Sequence, residues 1–370
     1  MQTLILSCNT GAGHNSCAQA VQEAYHSRGE ICNITDSLQF ISEKASTFIS
    51  NWHTRIYRHA PRLFDAGYQR AESHEDIFCE GTPIYKLLSS GAERMYQYIR
   101  SAGYDNIICT HVFPALALTE MRRQHPCLQL VTSHISTDYT CAPCTADSAL
   151  DWYFIPSTSL LGEFEQCGLQ PQKLIASGIP VRQQFYQRVS QEAGKANAGI
   201  SPAHQHILMM CGSMGCGPME EIISYLCPYL TTEQELSVVC GTNDDLRKKL
   251  QKRTEKYSQV LGTVNNVPQL MQASDLFLTK PGGLSTSEAM AAELPMVLID
   301  AVAGCETHNL NFFLRNGMAV TANTPKAIAD TTIKTLNAPV LLSKMRAAMR
   351  SQTECTAADK IYEWIYSHAK

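Results

Sequence analysis

The chain has no run of about 18 apolar residues, so no transmembrane helix is expected. No Gly-Lys-Ser/Thr follows a glycine-rich turn, which excludes a phosphate P-loop. Positive charge is not in excess: 30 Lys and Arg against 34 Asp and Glu give a formal net charge of −4, so nucleic acid is not an expected partner. A single CxxC occurs, Cys141–Cys144 in "DYTCAPC", with no second pair at zinc-finger spacing. The N-terminus enters the apolar "TLIL" at once and then a polar loop, which is not the pattern of a signal peptide, so a cytoplasmic protein is expected. The 15 cysteines are odd in number and scattered over both halves; in that setting they read as reduced thiols filling small sites. Cys8, Cys109, Cys211 and Cys240 each sit in or beside an apolar strand candidate.

What is present is a soluble globular composition, 44% apolar and 17% charged, over 370 residues, and that length favours two domains. Short apolar runs alternate with helical patterns almost throughout. The first half offers "TLILSC", "EICNIT", "NIICT", "LQLVTS", "DWYFIP" and "LIASG". The second offers "HILMMCG", "LSVVCG", "QVLGT", "DLFLT", "MVLID" and "MAVTA". Two-sided apolar strands between helices indicate an α/β fold with parallel sheets covered on both faces. The break falls in the small-residue, polar stretch "RVSQEAGKANAGISPAHQ", which reads as a linker. The expectation is therefore two doubly wound domains facing a cleft, 1–185 and 200–352, with an aromatic-rich insertion at about 38–100. The last stretch, 353–370, carries Ile361, Trp364, Ile365 and His368 at helical spacing and is expected to pack back on the N-terminal domain.

Ligands of such sheets bind beyond the C-terminal ends of the strands, and four stretches stand there. In "SCNTGAGHNSCAQA", Gly11 and Gly13 allow a tight turn and close approach of a ligand, and His14 follows as a helix begins. A dinucleotide fingerprint would need glycine where the chain has Ser16, although Asp36 ends the second strand as a ribose-binding acid would. Phosphate alone does not need a histidine; His14 is either placed for chemistry or is a helix-start side chain bonded to the backbone. In "LFLTKPGGLSTSEAMAAELPMVLID", the N–H groups of Gly283, Leu284, Ser285 and Thr286 can wrap a diphosphate, and Glu288 one turn on can accept two ribose hydroxyls. The plainer alternative is a Gly turn capped by Ser285 or Ser287, with Glu288 favouring the helix dipole. In "AVAGCETHNLNFFLRNG", Glu306, Thr307, His308 and Asn309 place at one helix start the mixed donors and acceptors that a sugar ring requires. The glycine-rich "MMCGSMGCGPME", with Gly212 and Ser213, is suited to cover a diphosphate from the other side. No Asp-x-Asp occurs, so the usual carboxylate clamp for a metal-bound nucleotide sugar is missing, and helix starts would have to stabilise a leaving diphosphate.

With "NTGAGHNSCAQA", "TDYTCAP", "ASGIPVRQQF", "TKPGGLSTSEA" and "GCETHN" in this order, the chain resembles the diacylglycerol glycosyltransferases, the processive diacylglycerol glucosyltransferase and monogalactosyldiacylglycerol synthase group. The resemblance implies a GT-B fold of two Rossmann-like domains, inversion at the anomeric carbon, a UDP-sugar donor (UDP-glucose or UDP-galactose) in the C-terminal half and a diacylglycerol-type acceptor on the N-terminal half. It implies that Gly282, Gly283, Ser285 and Thr286 hold the diphosphate, Glu288 the ribose, Glu306 and Asn309 the sugar, and that His14 lies at the acceptor hydroxyl. No cofactor and no metal are expected.

Three departures stand out. Asn9 occupies a place where some relatives have an acid, which shifts the base to His14, with His111 and Asp138 as substitutes. The sugar motif, usually Gly-Gln-Glu-Lys, is Gly304-Cys305-Glu306-Thr307, which leaves the sugar open; the middle of the Gly-Ala-Gly turn is Ala12. In the insertion, Trp52, Tyr57, Phe64 and Tyr68 stand among Arg55, Arg58, Arg62 and Arg70, a composition suited to an anionic membrane surface or to an ordinary helical subdomain. The expected location is peripheral, on the inner face of the cell membrane. Two other readings share the donor site: a UDP-N-acetylglucosamine-using enzyme, with a lipid-linked acceptor or epimerase-like, and an inactive UDP-sugar sensor.

Overall fold

The computed structural model describes residues 1–9, 11–42, 82–187, 189–253, 259–299, 304–353 and 356–368. Each of the twelve apolar runs contains or overlaps a strand: β1 (Gln2–Ser7), β2 (Ile31–Asp36), β3 (Asn106–Cys109), β4 (Val131–Ile135), β5 (Trp152–Ile155), β6 (Leu174–Ala176), β7 (Gln205–Met210), β8 (Gln234–Val239), β9 (Gln259–Leu261), β10 (Leu276–Thr279), β11 (Met296–Leu298) and β12 (Ala319–Thr321). They form two six-stranded sheets, in the orders β2-β1-β3-β4-β5-β6 and β12-β11-β10-β7-β8-β9. The pairings are parallel in both. The helices include α1 (Ala12–His26), α2 (Val112–Gln124), α3 (Gly283–Ala291), α4 (Cys305–Arg315) and α5 (Ala357–His368).

The first sheet is buried on both faces because successive strand side chains point to opposite sides. Leu4 and Leu6 join Ile107, Leu118 and Met121 in one core, with α2 over it. Ile5 joins Ile108, Ile135 and Phe154 in the other, covered by Val21 and Tyr25 of α1 and by Ile361 and Ile365 of α5. The terminal helix thus packs on the N-terminal domain, as its spacing predicts. Arg28 reinforces the contact with a 2.7 Å ion pair to Asp359, and its guanidinium sits 4.5 Å over the Tyr362 ring. The second sheet has its own core, including Ile207, Met209, Leu236, Val238, Leu276 and Leu278. Among the described residues no helix is long and apolar enough to cross a membrane.

By contacts the chain divides into Met1–Arg182 with Ala303–Cys305 and Cys355–Lys370, and Gln183–Val302 with Glu306–Glu354. The stretch that reads as a linker is part of the second unit. Residues Gln191–Asn197 form a helix, and Lys195, buried, donates to the His204 carbonyl at 2.6 Å and pairs with Asp275 at 3.0 Å. Small residues give this segment the look of a connector; Gly194 is small because a Cβ there would lie 2.8 Å from the Gln272 carbonyl oxygen.

Two buried histidines make stability depend on pH. Burial pushes the His134 imidazole down from 6.5 to about 3, with the neighbouring His14 adding to the effect. Burial likewise pushes His206, held between Ser237 and Ser274, down to about 4. Both stay neutral in the folded protein where the unfolded chain binds a proton, so stability is full above about pH 6.5 and falls as pH drops toward the folded values. Each histidine is expected to cost about 2 kcal/mol by pH 5. Urea midpoints at pH 7 and pH 5 check this; replacing His206 by Gln should lower stability at pH 7 and shrink the acid-induced drop. Equal drops in parent and variant would exclude His206 as a contributor.

Candidate functional site

Each sheet has one point where the winding reverses: between β1 and β3 in the first unit, between β7 and β10 in the second. Connections depart in opposite directions there, leaving a crevice at the carboxyl ends of the strands. His14 and His111 follow the two strands at the first point, and Gly212, Ser213 and Gly282 to Glu288 follow the two strands at the second.

In the first unit β1 runs out through Cys8 and Asn9 into α1, whose N-cap, Gly11, makes no side-chain cap. Gly11 is extended, with φ −170°, and a Cβ on it would meet nothing within 4 Å. The turn therefore does not demand glycine at this position. Gly13 and His14 lie in the first turn of α1, half-buried. His14 Nδ1 lies 2.9 Å from the carbonyl oxygen of Thr110, just past β3. A carbonyl only accepts, so Nδ1 carries the proton, and the neutral ring has its basic lone pair on Nε2. Thr137 Oγ1, at 3.1 Å from the same nitrogen, adds a second contact from the loop after β4.

His111 stacks edge-on against His14, with ring centroids 4.6 Å apart, but is in the opposite tautomer. Its Nδ1 accepts from the Phe113 N–H at 3.0 Å as N-cap of α2, so a neutral His111 carries its proton on Nε2. In their neutral forms the two histidines thus differ: His14 carries its proton on Nδ1, His111 on Nε2. Asp138 is half-buried in the same loop as Thr137.

Asn9 acquires a physical reason here. Its Nδ2 donates to Asp36 Oδ2 at 2.9 Å, and its Oδ1 accepts from Asn15 at 2.8 Å. A carboxylate at this position would face another carboxylate. Asp36 also accepts from the Leu38 N–H at 3.1 Å, so it serves the turn after β2, which weakens its candidacy as a ribose-binding acid.

In the second unit β10 ends at Thr279, and Lys280-Pro281-Gly282-Gly283 leads into α3, whose N-cap Gly282 makes no side-chain cap. Neither serine caps it: Ser287 Oγ donates back to the Gly283 carbonyl at 2.6 Å. Thr286 is tied into the turn. Its N–H donates to the Gly282 carbonyl at 3.1 Å, its hydroxyl to the same carbonyl at 2.9 Å, and the residue is fully buried. Gly283, Leu284 and Ser285 are the helix-start residues whose N–H groups suit an anion, and Thr286 shapes the turn beneath them. Glu288 is half-buried on the following turn.

Asn309, wholly buried, donates from Nδ2 to the Pro281 carbonyl at 3.0 Å. Glu306 accepts from Lys280 Nζ at 2.6 Å. Both α4 residues therefore brace the Pro-Gly-Gly turn, while Thr307 is exposed. Sequence reasoning misses Lys280 although it stands inside "TKPGG"; a cation beside an anion-type turn is the available signal. Thr110 and Thr137 carry none, since only the sheet brings them to His14.

The loop with Gly212 and Ser213 is locked to the loop after β8. Thr242 N–H donates to Ser213 O at 2.9 Å and Asn243 Nδ2 to Gly215 O at 3.0 Å. Gly212, Gly215 and Gly217 all have positive φ, which explains the glycine richness. Trp52, Arg55, Arg58 and Arg62 lie outside the described residues.

The two sheets with their switch points give the GT-B fold, and the sequence comparisons make the protein a glycosyltransferase. Residues 14–181 match the family model of monogalactosyldiacylglycerol (MGDG) synthase, and residues 227–354 that of glycosyl transferases group 1. Curated relatives of the diacylglycerol glycosyltransferase group are similar along nearly the whole chain. A processive diacylglycerol beta-glucosyltransferase of Bacillus cytotoxicus is 24% identical over 366 residues, covering 95% of this chain and 89% of the relative. The fold matches Acinetobacter baumannii MurG with a TM-score of 0.65 at 13% identity, over 99% of each chain. It also matches Anabaena HepE, solved in complex with UDP, with a TM-score of 0.58 at 15% identity over 99% of this chain and 100% of the other.

Proposed function

We propose that the protein moves a glucosyl or galactosyl residue from its UDP-sugar to the hydroxyl of diacylglycerol, or of a glycosyl-diacylglycerol, at an anionic membrane surface. The observation that carries the reading is the Nδ1 contact of His14 with the Thr110 carbonyl, which places the basic lone pair on Nε2 at the switch point of the first sheet. An alcohol must lose its proton as it attacks the anomeric carbon, and a neutral imidazole accepts one near pH 7. One displacement, with UDP leaving from the opposite side, inverts that carbon. In the second unit the start of α3 stabilises the departing diphosphate, Glu288 takes the ribose hydroxyls, and the Glu306 end of α4 takes the sugar. These helix starts supply the charge stabilisation that a metal would, so the reaction is proposed to need none. The names of the relatives support the lipid acceptor, and the basic, aromatic segment around Trp52 to Arg70 is proposed to bring the enzyme to the inner face of the membrane.

The test is incubation with UDP-glucose, UDP-galactose or UDP-N-acetylglucosamine and diacylglycerol-containing anionic vesicles in EDTA, read by mass spectrometry. Hexosyl-diacylglycerol with UDP release supports the reading. Epimerised donor without lipid product, or bound donor with no turnover, replaces it with an epimerase or a sensor. Activity restored only by magnesium removes the metal-independent step. For the donor site itself, Glu288→Ala is expected to lower UDP affinity by about 1–3 kcal/mol, the worth of hydrogen bonds to a charged group. Calorimetric titration measures it, and an unchanged affinity would move the ribose elsewhere.

A further inference from the structure

Lys280 takes no part in the proposed transfer, yet it stands where the elements of the second site meet. Its ammonium is 2.6 Å from Glu306 Oε1, and the two side chains are only 16% and 7% exposed. Its stem crosses Gly212, where a Cβ would come within 3.0 Å of Lys280 Cε and 3.8 Å of Nζ. The ion pair therefore ties the end of β10 to the start of α4, close against Gly212 of the loop after β7. Asn309 closes the same corner by holding the Pro281 carbonyl at 3.0 Å.

A buried ion pair is a poor source of net stability, because desolvation of both charges offsets their attraction. Its removal in halves is another matter: a buried carboxylate stripped of this cation beside an anion-binding turn would repel the anion. The uncapped start of α3 begins three residues after Lys280. A diphosphate there is anionic, and a carboxylate nearby is tolerable only if compensated. A carboxylate has two acceptor oxygens and so can take several sugar hydroxyls.

We propose that Lys280 is a positioning residue of the donor subsite, holding Glu306 in place and charge-compensated so that a nucleoside diphosphate sugar binds beside a carboxylate that reads its hydroxyls. The proposal rests on the second unit being the donor-binding unit. In this arrangement Lys280 acts through Glu306, and the nucleotide's own contacts are with the N–H groups of α3.

Calorimetric titration of UDP and of UDP-glucose into the full-length parent, Lys280→Arg, Lys280→Met, Glu306→Gln and the double variant Lys280→Met/Glu306→Gln tests this. Lys280→Met is expected to weaken UDP roughly tenfold or more, as for a buried charge stripped of its partner, and Lys280→Arg to retain most of the affinity. Glu306→Gln should keep UDP affinity and lose the preference for UDP-glucose over UDP. The double variant should regain UDP affinity to within about threefold of Glu306→Gln, because the pair acts as a unit. A double variant as weak as Lys280→Met means that the ammonium contacts the nucleotide itself, which overturns the proposal, as does undiminished UDP binding by Lys280→Met. If melting shows that Lys280→Met does not fold, Glu306→Gln decides: an unchanged preference for UDP-glucose overturns it. A parent that binds neither UDP nor UDP-glucose refutes the donor reading instead.

Discussion

Replacing His14 by Ala is expected to lower the transfer rate by roughly 10²–10⁴-fold, the usual worth of a positioned general base. UDP affinity should stay at the parent value, because His14 belongs to the first unit and the residues proposed to hold UDP to the second. The parent's rate should fall on acidification through the imidazole range, since a protonated ring cannot take the alcohol's proton. The residual rate of the variant should lack that limb. His111→Ala is the contrast: it removes the N-cap of α2 and costs stability of about 1 kcal/mol. Steady-state kinetics across pH, with melting curves for both variants, separate the roles. Near-parental turnover in a folded His14→Ala protein would sink the assignment, and Asp138 would be the next base to test.

The second large effect lies in a glycine that no motif singles out. Gly241 has φ +56°, and a Cβ on it would stand 2.1 Å from the Ser213 carbonyl oxygen and 2.6 Å from its carbon. Ser213 cannot simply retreat, because its carbonyl accepts the Thr242 N–H at 2.9 Å. Gly215 is the reciprocal case, with a Cβ falling 2.2 Å from the Cys240 carbonyl oxygen. Gly241→Ala is therefore expected to destabilise the second unit by about 2–4 kcal/mol, combining left-handed strain with a backbone clash. UDP binding should weaken with it if the Gly212–Ser213 loop covers the diphosphate. Denaturant titration with parallel UDP titration measures both; a stability loss with intact UDP affinity would take the loop out of the donor site. Gly11→Ala serves as the control, being extended and open, and should leave the fold unchanged.

The strands and the terminal helix are legible because their signal is local. Leu4, Ile5 and Leu6 in succession announce a strand buried on both faces, and Ile361 with Ile365 announces a helix face. Glycine turns at strand ends mark where ligands bind, for a parallel sheet leaves its crevice there whatever the side chains. The linker reading fails because composition does not show that Lys195 has Asp275 to pair with, 80 positions away. The Thr286 hydroxyl at a helix start is ambiguous in the sequence; in the fold it donates to the Gly282 and Gly283 carbonyls.

By itself the sequence determined the α/β class, the alternation that puts strands in two parallel sheets, and the short list of polar residues at their ends. Those follow from periodicity and from backbone freedom at glycine, properties that each residue carries with it. The tertiary structure decided the tautomers of His14 and His111, the bracing of the Pro-Gly-Gly turn by Asn309, and the pairing of Lys280 with Glu306. Each of these depends on which acceptor or charge lies within about 3 Å, the reach of a hydrogen bond, and such neighbours come from distant parts of the chain.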